Sequence, residues 1–595
     1  MSTPQEIITS ARNAPAATKG ALVVSGLTAL MMWGAFTPLD FGPLAWLCLA
    51  PLLILARIER PVRRMYAAVY AGGLVFWLCT LQWMRLGDPT MYVAWLALAV
   101  YLALYFPVFV ALARTAVWRL GLPLTLAAPV VWVGLELLRG YLLTGFSWYY
   151  LAHTQHRWIE LIQISDLVGS YGVSFLVALH AGCAAELIPV SLIARLGLLA
   201  PAATSEAVRV PTERGRIVRV VGCLTLLAAA LTYGYVRRSG IEFRAGPRVA
   251  LVQGNFISSV KHKPEEWPNI QKRHSWLTGQ AVKEQPDIII WPETMFRWPL
   301  FDTPLDVSDE QLQSAHPDKP IAQFRQSQAA VRSKLSTMAQ QAGAALVIGL
   351  ERIDVDQQHF RVYNSAVLVR PDGVLDGHYD KLHRVMFGEY VPLVETFPWL
   401  KKFTPFGEWF GISAGETCSV FDYKGFRFAP IICFEDTVPQ LVRGIVNATT
   451  ESTPAGPARV DFLVNLTNDG WFHGSSELDQ HLITAAFRCV ECRTPMVRAV
   501  NTGISAFIDG DGVVRKVAVG LKTQGPKLDD AIVVDTVPLD SRKSPYLAGG
   551  DWFPGLCLVC CGFVFLSGLF GRFFSAKPDS LPGGRLTPIA QASGN

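Results

Sequence analysis

Charge is scarce in this chain: only 17% of its 595 residues are Asp, Glu, Lys or Arg, against 51% hydrophobic. Soluble domains run near 25% charged, so a chain that is soluble throughout is excluded. A basic stripe and zinc-finger spacings are missing too. With a formal net charge of only +5, nucleic acid has no electrostatic footprint to bind. Nor is there a disulfide framework. Cys48, Cys79, Cys183, Cys223, Cys557, Cys560 and Cys561 fall in apolar segments, where a free Cys behaves as a small hydrophobe. Cys489-x-x-Cys492 lacks a second pair and has helical flanks, which argues against a zinc or redox site.

What is abundant is apolar sequence, and it is unevenly spread. Residues 21–236 and 553–571 hold the excess, whereas 240–550 reads as an ordinary soluble α/β sequence. A helical span needs about 20 mostly apolar residues. Candidates lie at roughly 21–37, 41–56, 66–84, 91–113, 121–138, 165–190, 217–236 and 553–571. The first lacks the small-residue border of a cleaved signal and reads as a retained anchor. The expected organisation is a transmembrane region over 1–240 with about seven spans and a soluble domain over 241–550. A terminal membrane helix over 551–575 and a tail over 576–595 follow.

Lys and Arg in short loops set orientation. Arg57, Arg60, Arg63 and Arg64 precede the third span, Arg114 and Arg119 follow the fourth, and Arg195 to Arg219 separate the sixth and seventh. The alternate loops are poor in cations. This pattern predicts an amino terminus inside, residues 240–550 outside, and a cytoplasmic tail carrying Arg572, Lys577 and Arg585. The connection 139–164 is aromatic and almost uncharged. It reads as an interfacial belt or as part of a lipid-binding mouth. Glu136 and Glu186, near span ends, are either functional or snorkelling.

From 248 onward, RVALVQGNF, PDIIIWPE, AALVIGLERI, NSAVLVRP, FAPIICFED and DFLVNLTND read as buried strands. Each is continuous in apolar residues rather than alternating. Helical stretches such as 323–342 and 478–493 separate several of them, the signature of a layered α/β or α+β domain. Residues 301–322 and 449–458 read as mobile loops.

Three polar residues stand at strand ends: Glu293 after IIIWP, Lys381 in HYDKLHRVMFGEYVP, and Cys433 after APII. A thiol at a strand-to-loop turn gains the exposure a nucleophile needs. In this order the three motifs resemble the carbon–nitrogen hydrolase (nitrilase) superfamily. Within it the chain resembles the apolipoprotein N-acyltransferases, through ELLRGYLLTGFSW, LVQGN, IIWPET, FGEYVP, ICFED, LTNDGWF and QHLITAAFRCVECRTPMVRAVNTGISAFID. Order and placement carry the resemblance over nearly the whole chain. Phe434 stands where the family often has Tyr, and His262 where it often has Trp.

The resemblance implies a multi-span α-helical membrane domain joined to a nitrilase-like αββα sandwich. It implies Glu293 as general base, Lys381 as oxyanion stabiliser and Cys433 as nucleophile, with Glu389 and Glu435 supporting. The thiol should be ionised more readily for having Lys381 nearby. The acyl donor is expected to be a phospholipid and the acceptor a diacylglyceryl-apolipoprotein, in the bacterial inner membrane, with no metal or cofactor. Trp409 and Phe410, in KKFTPFGEWFGI, read either as core or as a membrane-dipping lid; the lid suits lipid substrates, and these two with Phe434 are the expected lipid contacts. Asn468, Arg488, Glu491, Arg493, Arg498 and Asn501 are expected to build scaffold. The rival reading is a membrane-tethered amidase acting on a small C–N substrate. A simple anchor would need one span, and so many spans argue that they shape the substrate site.

Overall fold

In hydrocarbon every backbone N–H and C=O must be satisfied within its own segment, and the apolar amino-terminal part accordingly folds as helices. The computed structural model describes residues 16–89, 91–199, 207–303, 307–391, 396–403, 411–453 and 456–574. Helix covers each of the eight predicted spans, including α1 (Thr18–Ala35), α2 (Gly42–Arg57), α3 (Met65–Thr80) and α4 (Met91–Arg119). Then come α5 (Leu124–Tyr141), α6 (Tyr171–Leu187), α7 (Glu213–Arg238) and, after the soluble domain, α12 (Trp552–Phe574). Among the described residues four segments are long and apolar enough to cross a membrane alone: Met91–Arg119, Leu124–Thr144, Glu213–Arg238 and Trp552–Phe570. Ile159–Val168 and Tyr171–Leu187 make a fifth only as a pair bent by 117°, while α2 and α3 are shorter apolar helices. The segment expected at 165–190 is therefore broken near Gly169, which has φ +71°.

Close approach between helices depends on small residues. A side chain at Gly134 on α5 would meet Cys561 Sγ at 2.7 Å and the Cys557 backbone at 3.0 Å, so glycine lets α12 lie against α5. Two arginines of the orientation pattern also have structural work. Arg57 donates to the carbonyls of Ala185 (2.6 Å) and Ile188 (2.7 Å), and Arg114 to those of Ile58 (2.8 Å) and Glu59 (3.0 Å). Each thus satisfies carbonyls that a helix end leaves unpaired. Glu186 accepts from Leu124 N (2.8 Å) and Thr125 Oγ1 (2.6 Å) and pairs with Arg219 (2.7 Å). Glu136 accepts from Trp132 Nε1 (2.8 Å) and Leu151 N (2.9 Å). Both carboxylates are buried, so neither snorkels.

The soluble domain is two sheets face to face. The first contains β1 (Arg244–Gln253), β2 (Ile288–Ile290), β3 (Phe296–Asp302), β4 (Ala345–Val355), β5 (Phe360–Val369) and β6 (Leu375–Asp380). Its far edge is the last strand, β13 (Ala531–Leu539), antiparallel to β1. The second contains β7 (Phe421–Tyr423), β8 (Phe426–Ile432), β9 (Phe462–Thr467), β10 (Met496–Val500), β11 (Ala506–Ile508) and β12 (Val514–Val517). Side chains explain the unbroken apolar runs. Val249, Leu251, Ile288, Ile290, Phe428 and Val464 meet between the sheets. Their neighbours Ala250, Val252, Ile289 and Trp291 face α8 (Trp267–Val282) and α9 (Ile321–Ala342). Ala429, Ile431 and Leu463 face α10 (Pro439–Ala448) and α11 (Ser476–Cys492). Both faces of each sheet are covered, which gives four layers, αββα.

Cys489 and Cys492 are buried in the packing of α11. The opposite side of α11 closes the gap to the membrane helices: Ile483, Phe487 and Val490 pack with Tyr150, Leu161 and Tyr171. Arg493 ties the same junction, pairing with Asp166 (2.7 Å) and Asp511 (2.9 Å). Two expected loops are more ordered than their composition suggests. Within 301–322 lies the helix Asp309–Ala315, capped by Ser308, and within 449–458 strands Glu451–Thr453 and Gly456–Ala458 pair. Polar composition hid a capping box in the first and a short hairpin in the second.

Candidate active site

Cys433 follows the end of β8 directly and adopts φ +53°. A left-handed residue other than Gly costs free energy and persists only where its surroundings hold it. Glu435 does much of that holding. Its buried carboxylate accepts from Ile432 N (2.6 Å) within the turn, and from Leu382 N (2.7 Å) and His383 N (2.9 Å) across the sheets. Tyr379 Oη donates to it as well (2.8 Å). Burial pushes the Glu435 carboxyl up to about 7, against the downward pull of Lys381 and these donors.

The bond to Leu382 and His383 couples the cysteine turn to the lysine. Lys381 follows β6, its N–H donating to the Asn364 carbonyl (2.9 Å). Its ammonium lies 2.7 Å from Glu389 Oε1 and 3.7 Å from Glu293 Oε1. Burial disfavours this charge, but Glu389, Glu293 and Cys433 outweigh it and hold Lys381 well above the ordinary lysine range. Glu389 also accepts from Val385 N (2.8 Å), closing the loop on itself. Glu293 sits three residues beyond β2 and accepts from Asn364 Nδ2 (2.6 Å). Gly349 on β4 lies beneath it. A side chain there would meet Pro292 O at 2.3 Å and Glu293 Cα at 2.8 Å, so the glycine lets Glu293 lie close to the sheet.

The structure thus brings Glu293, Lys381, Cys433, Glu389 and Glu435 into one cluster. Lys381 favours the thiolate as expected, but burial first and then the charge of Glu293 outweigh it and push the Cys433 thiol well above its usual value. Cys433 therefore rests as a thiol.

Sequence reading passed over several neighbours. Lys261 is buried, its Nζ 3.4 Å from the Glu293 carbonyl, and burial lowers it to about 8 despite the opposing charge of Glu293. Asn364 was read only as part of a strand. Behind Cys433 a charged cluster is entirely buried: His481 lies between Asp436 (2.8 Å) and Asp469 (3.0 Å), and Arg498 also pairs with Asp436. Burial opposes the His481 charge, but Asp436 and Asp469 raise it to about 10. Asp469, Glu477 and His481 are close enough to hold a metal ion. Carboxylates on both ring nitrogens make the ring an imidazolium, however, with no lone pair for a metal.

Arg498 is scaffold as expected, and so is Arg488, which pairs with Glu491 (2.8 Å). Asn501 donates to Asn468 Oδ1 (2.8 Å) and to Phe256 O (2.5 Å), fixing the loop after β1. The aromatic connection is divided: Tyr141 and Trp158 are exposed, whereas its middle is packed away. Trp148, Tyr149 and Tyr150 are at most 2% exposed. Trp148 stacks on Phe434 (centroids 6.3 Å), and Phe434 stacks on His383 (5.9 Å). Trp83 packs against Trp148 (5.4 Å) and Phe472 (4.8 Å) in the same cluster. Phe434, the residue after Cys433, therefore packs against the amino-terminal helical half. Trp409 and Phe410 lie outside the described residues.

Comparison with known proteins matches both halves. Residues 28–183 match the family description "Apolipoprotein N-acyltransferase N-terminal domain", and residues 248–541 match "Carbon-nitrogen hydrolase". The apolipoprotein N-acyltransferase of Geobacter metallireducens is 31% identical over 548 residues, covering 90% of this chain and 93% of its own. That of Rhodopirellula baltica is 30% identical over 578 residues, covering 91% and 96%. Among solved structures, a nitrilase-superfamily amidase from Nesterenkonia is similar at 17% identity and TM-score 0.34, over 53% of this chain and 98% of the amidase.

Proposed function

The chain belongs to the apolipoprotein N-acyltransferase family, and from that premise we propose that it moves an acyl chain from a phospholipid to the α-amine of a lipoprotein's S-diacylglyceryl cysteine, through a thioester on Cys433. The observation that carries this reading is the Glu293–Lys381 ion pair beside Cys433, at a turn whose next residue packs on the membrane half.

In the first half-reaction Glu293 takes the Sγ proton as sulfur attacks the ester carbonyl. Lys381 holds the oxyanion, a contribution of about 10²–10³ in rate for such a donor. Collapse breaks the C–O bond, and the alkoxide leaves as lysophospholipid with the proton from Glu293. In the second, the acceptor amine attacks the thioester carbon and gives its proton to Glu293. The C–S bond breaks, and the thiolate recovers that proton. Because Cys433 rests as a thiol, proton removal and attack must be coupled. Glu389 keeps Lys381 in place, and Glu435 holds the two turns together.

Purified protein given phospholipid alone is expected to accumulate one acyl group on Cys433 and about one equivalent of lysophospholipid. Mass spectrometry reads the adduct. Adding a diacylglyceryl-peptide should discharge the acyl group onto the peptide amine. If phospholipid leaves Cys433 unmodified while a simple amide is hydrolysed through it, the amidase reading replaces this one.

In the same reading residues 241–550 form the catalytic domain, face outward from the bacterial inner membrane, and are tethered at both ends. A cysteine introduced at Gln328, on the partly exposed side of α9, should react with an impermeant maleimide in intact spheroplasts. Labelling only after permeabilisation would place the domain on the other side.

A further inference from the structure

A crevice of about 810 Å³ lies between α2, α6 and α7, away from Cys433. None of its lining residues belongs to the Trp83–Trp148–Phe434–Phe472 cluster beside the nucleophile. Its volume lies in the range of sites for small organic ligands.

The ends of this crevice differ in chemistry. At one end are Asp40 and Arg157, on loops that adjoin the catalytic domain, where Thr37 Oγ1 reaches Ser476 O (3.3 Å). Arg157 and Asp40 pair at 2.5 Å, and the arginine side chain is 76% exposed. Trp46 and Trp158 pack edge to face (6.0 Å) below them. Further along, the walls become Leu187 of α6 and Val220, Leu224 and Leu227 of α7. A helix of the length of α6 spans about 25 Å at 1.5 Å per residue, which is most of a hydrocarbon core of about 30 Å. His180, also in the wall, has a buried Nε2 with no hydrogen-bond partner among the described residues.

α7 is held by ion pairs near its ends and by packing of Leu227, Ala230 and Leu231 in a core shared with α6. Arg219 pairs with Glu186 (2.7 Å) at one end and Arg237 with Asp166 (2.8 Å) at the other. Between these pins Val220, Cys223, Leu224 and Leu227 line the gap. An apolar gap of this size beside a bilayer is costly if empty. A molecule that fills it must be apolar along its length and polar at one end.

We propose that this crevice is a second lipid site, holding one glycerophospholipid with its acyl chain between α6 and α7 and its phosphate on Arg157. The phosphate complements the exposed Arg157 guanidinium, whereas the Asp40 carboxylate is only 12% exposed and already holds Arg157 and His156. A diacylglyceryl-peptide has no phosphate for Arg157. The bound lipid would brace α7, the helix that leads directly into β1.

The test uses the full-length chain in nanodiscs of phosphatidylethanolamine, doped with a phosphatidylethanolamine that carries a diazirine near the acyl terminus. After photolysis, adducts are mapped by peptide mass spectrometry. Saturable labelling is expected around Cys183 and Cys223. It should be lost in Ala184→Trp and in Leu224→Trp, each of which fills the crevice. Outward-facing positions such as Val218 and Val221, which are exposed, should label equally in all variants. Arg157→Glu should weaken crevice labelling about tenfold, the effect of losing one charge-assisted contact.

Should one tryptophan variant fail to fold, the other and Arg157→Glu still decide the matter. Crevice labelling that neither tryptophan reduces, or that never saturates, means annular lipid only and overturns the site. Preferential labelling by a diazirine-bearing diacylglyceryl-peptide overturns the assignment to phospholipid.

Discussion

Cys433→Ser is expected to lower acyl transfer by at least ~10⁴-fold, the scale on which loss of a nucleophile acts in a cooperating catalytic set, and to leave no detectable acyl-enzyme. Burial and Glu293 already hold the native thiol well above its usual ionisation range. Attack therefore depends on a carboxylate base removing a proton that sulfur gives up only with difficulty. A serine hydroxyl is a much weaker acid than a thiol, so the same base cannot activate it. The backbone demand is equal for the two residues, since both would occupy φ +53°. The variant should accordingly melt within a few degrees of the wild type in detergent. Intact-mass measurement after incubation with phospholipid, together with peptide acylation, checks both halves. A serine variant that still transfers at more than about 1% of the wild-type rate would show that the nucleophile lies elsewhere.

Glu435→Ala should damage stability and activity together. Removing the carboxylate orphans Ile432 N, Leu382 N, His383 N and Tyr379 Oη at once. Each buried donor left unpaired costs ~1–3 kcal/mol. Partial relaxation and water entry should leave a loss on the order of 4 kcal/mol. Activity should fall further than stability accounts for. The same carboxylate joins the Cys433 turn to the Lys381 turn, and a misplacement of about 1 Å costs ~10²-fold in rate. Glu435→Gln retains one acceptor oxygen but turns an NH₂ toward backbone donors, so an intermediate loss is expected. Thermal melts and single-turnover acylation, run side by side, separate the effects. A fully active and stable alanine variant would remove the coupling role.

Much of the fold was legible in residue order. Continuous apolar runs such as PDIIIWPE and DFLVNLTND can only be strands covered on both faces, because both alternating sets of side chains must leave water. Apolar stretches of span length mark the membrane helices for a similar reason: hydrocarbon accepts no unpaired backbone. Glu293 and Cys433 were legible because each stands at the end of such a run, where a buried strand delivers a polar side chain to the edge of the core; Lys381 follows the polar strand LDGHYD and was legible only through the motif around it. Their order carried the family resemblance.

What sequence could not decide was which distant groups meet. Glu435 was expected to support the site, but its motif does not name its partners: Leu382 and His383 lie 53 and 52 residues away. Lys261 looks like one cation among several in a polar loop, and only the packing of that loop over Glu293 buries it. The thiol's net protonation was hidden for the same reason: the pull of Lys381 is readable from a motif, whereas desolvation depends on everything packed around the sulfur. Tyr149 and Tyr150 look interfacial by composition. Tyr150 is core because α11 packs on that connection, and Tyr149 because it packs on Phe36, Trp77 and Trp83 of the helical half. Residue type and periodicity therefore determined the helices, the strands and the chemistry of the site. Burial, charge balance and the contact between the two halves were decided by tertiary structure, since each depends on surfaces that meet only when the chain is folded.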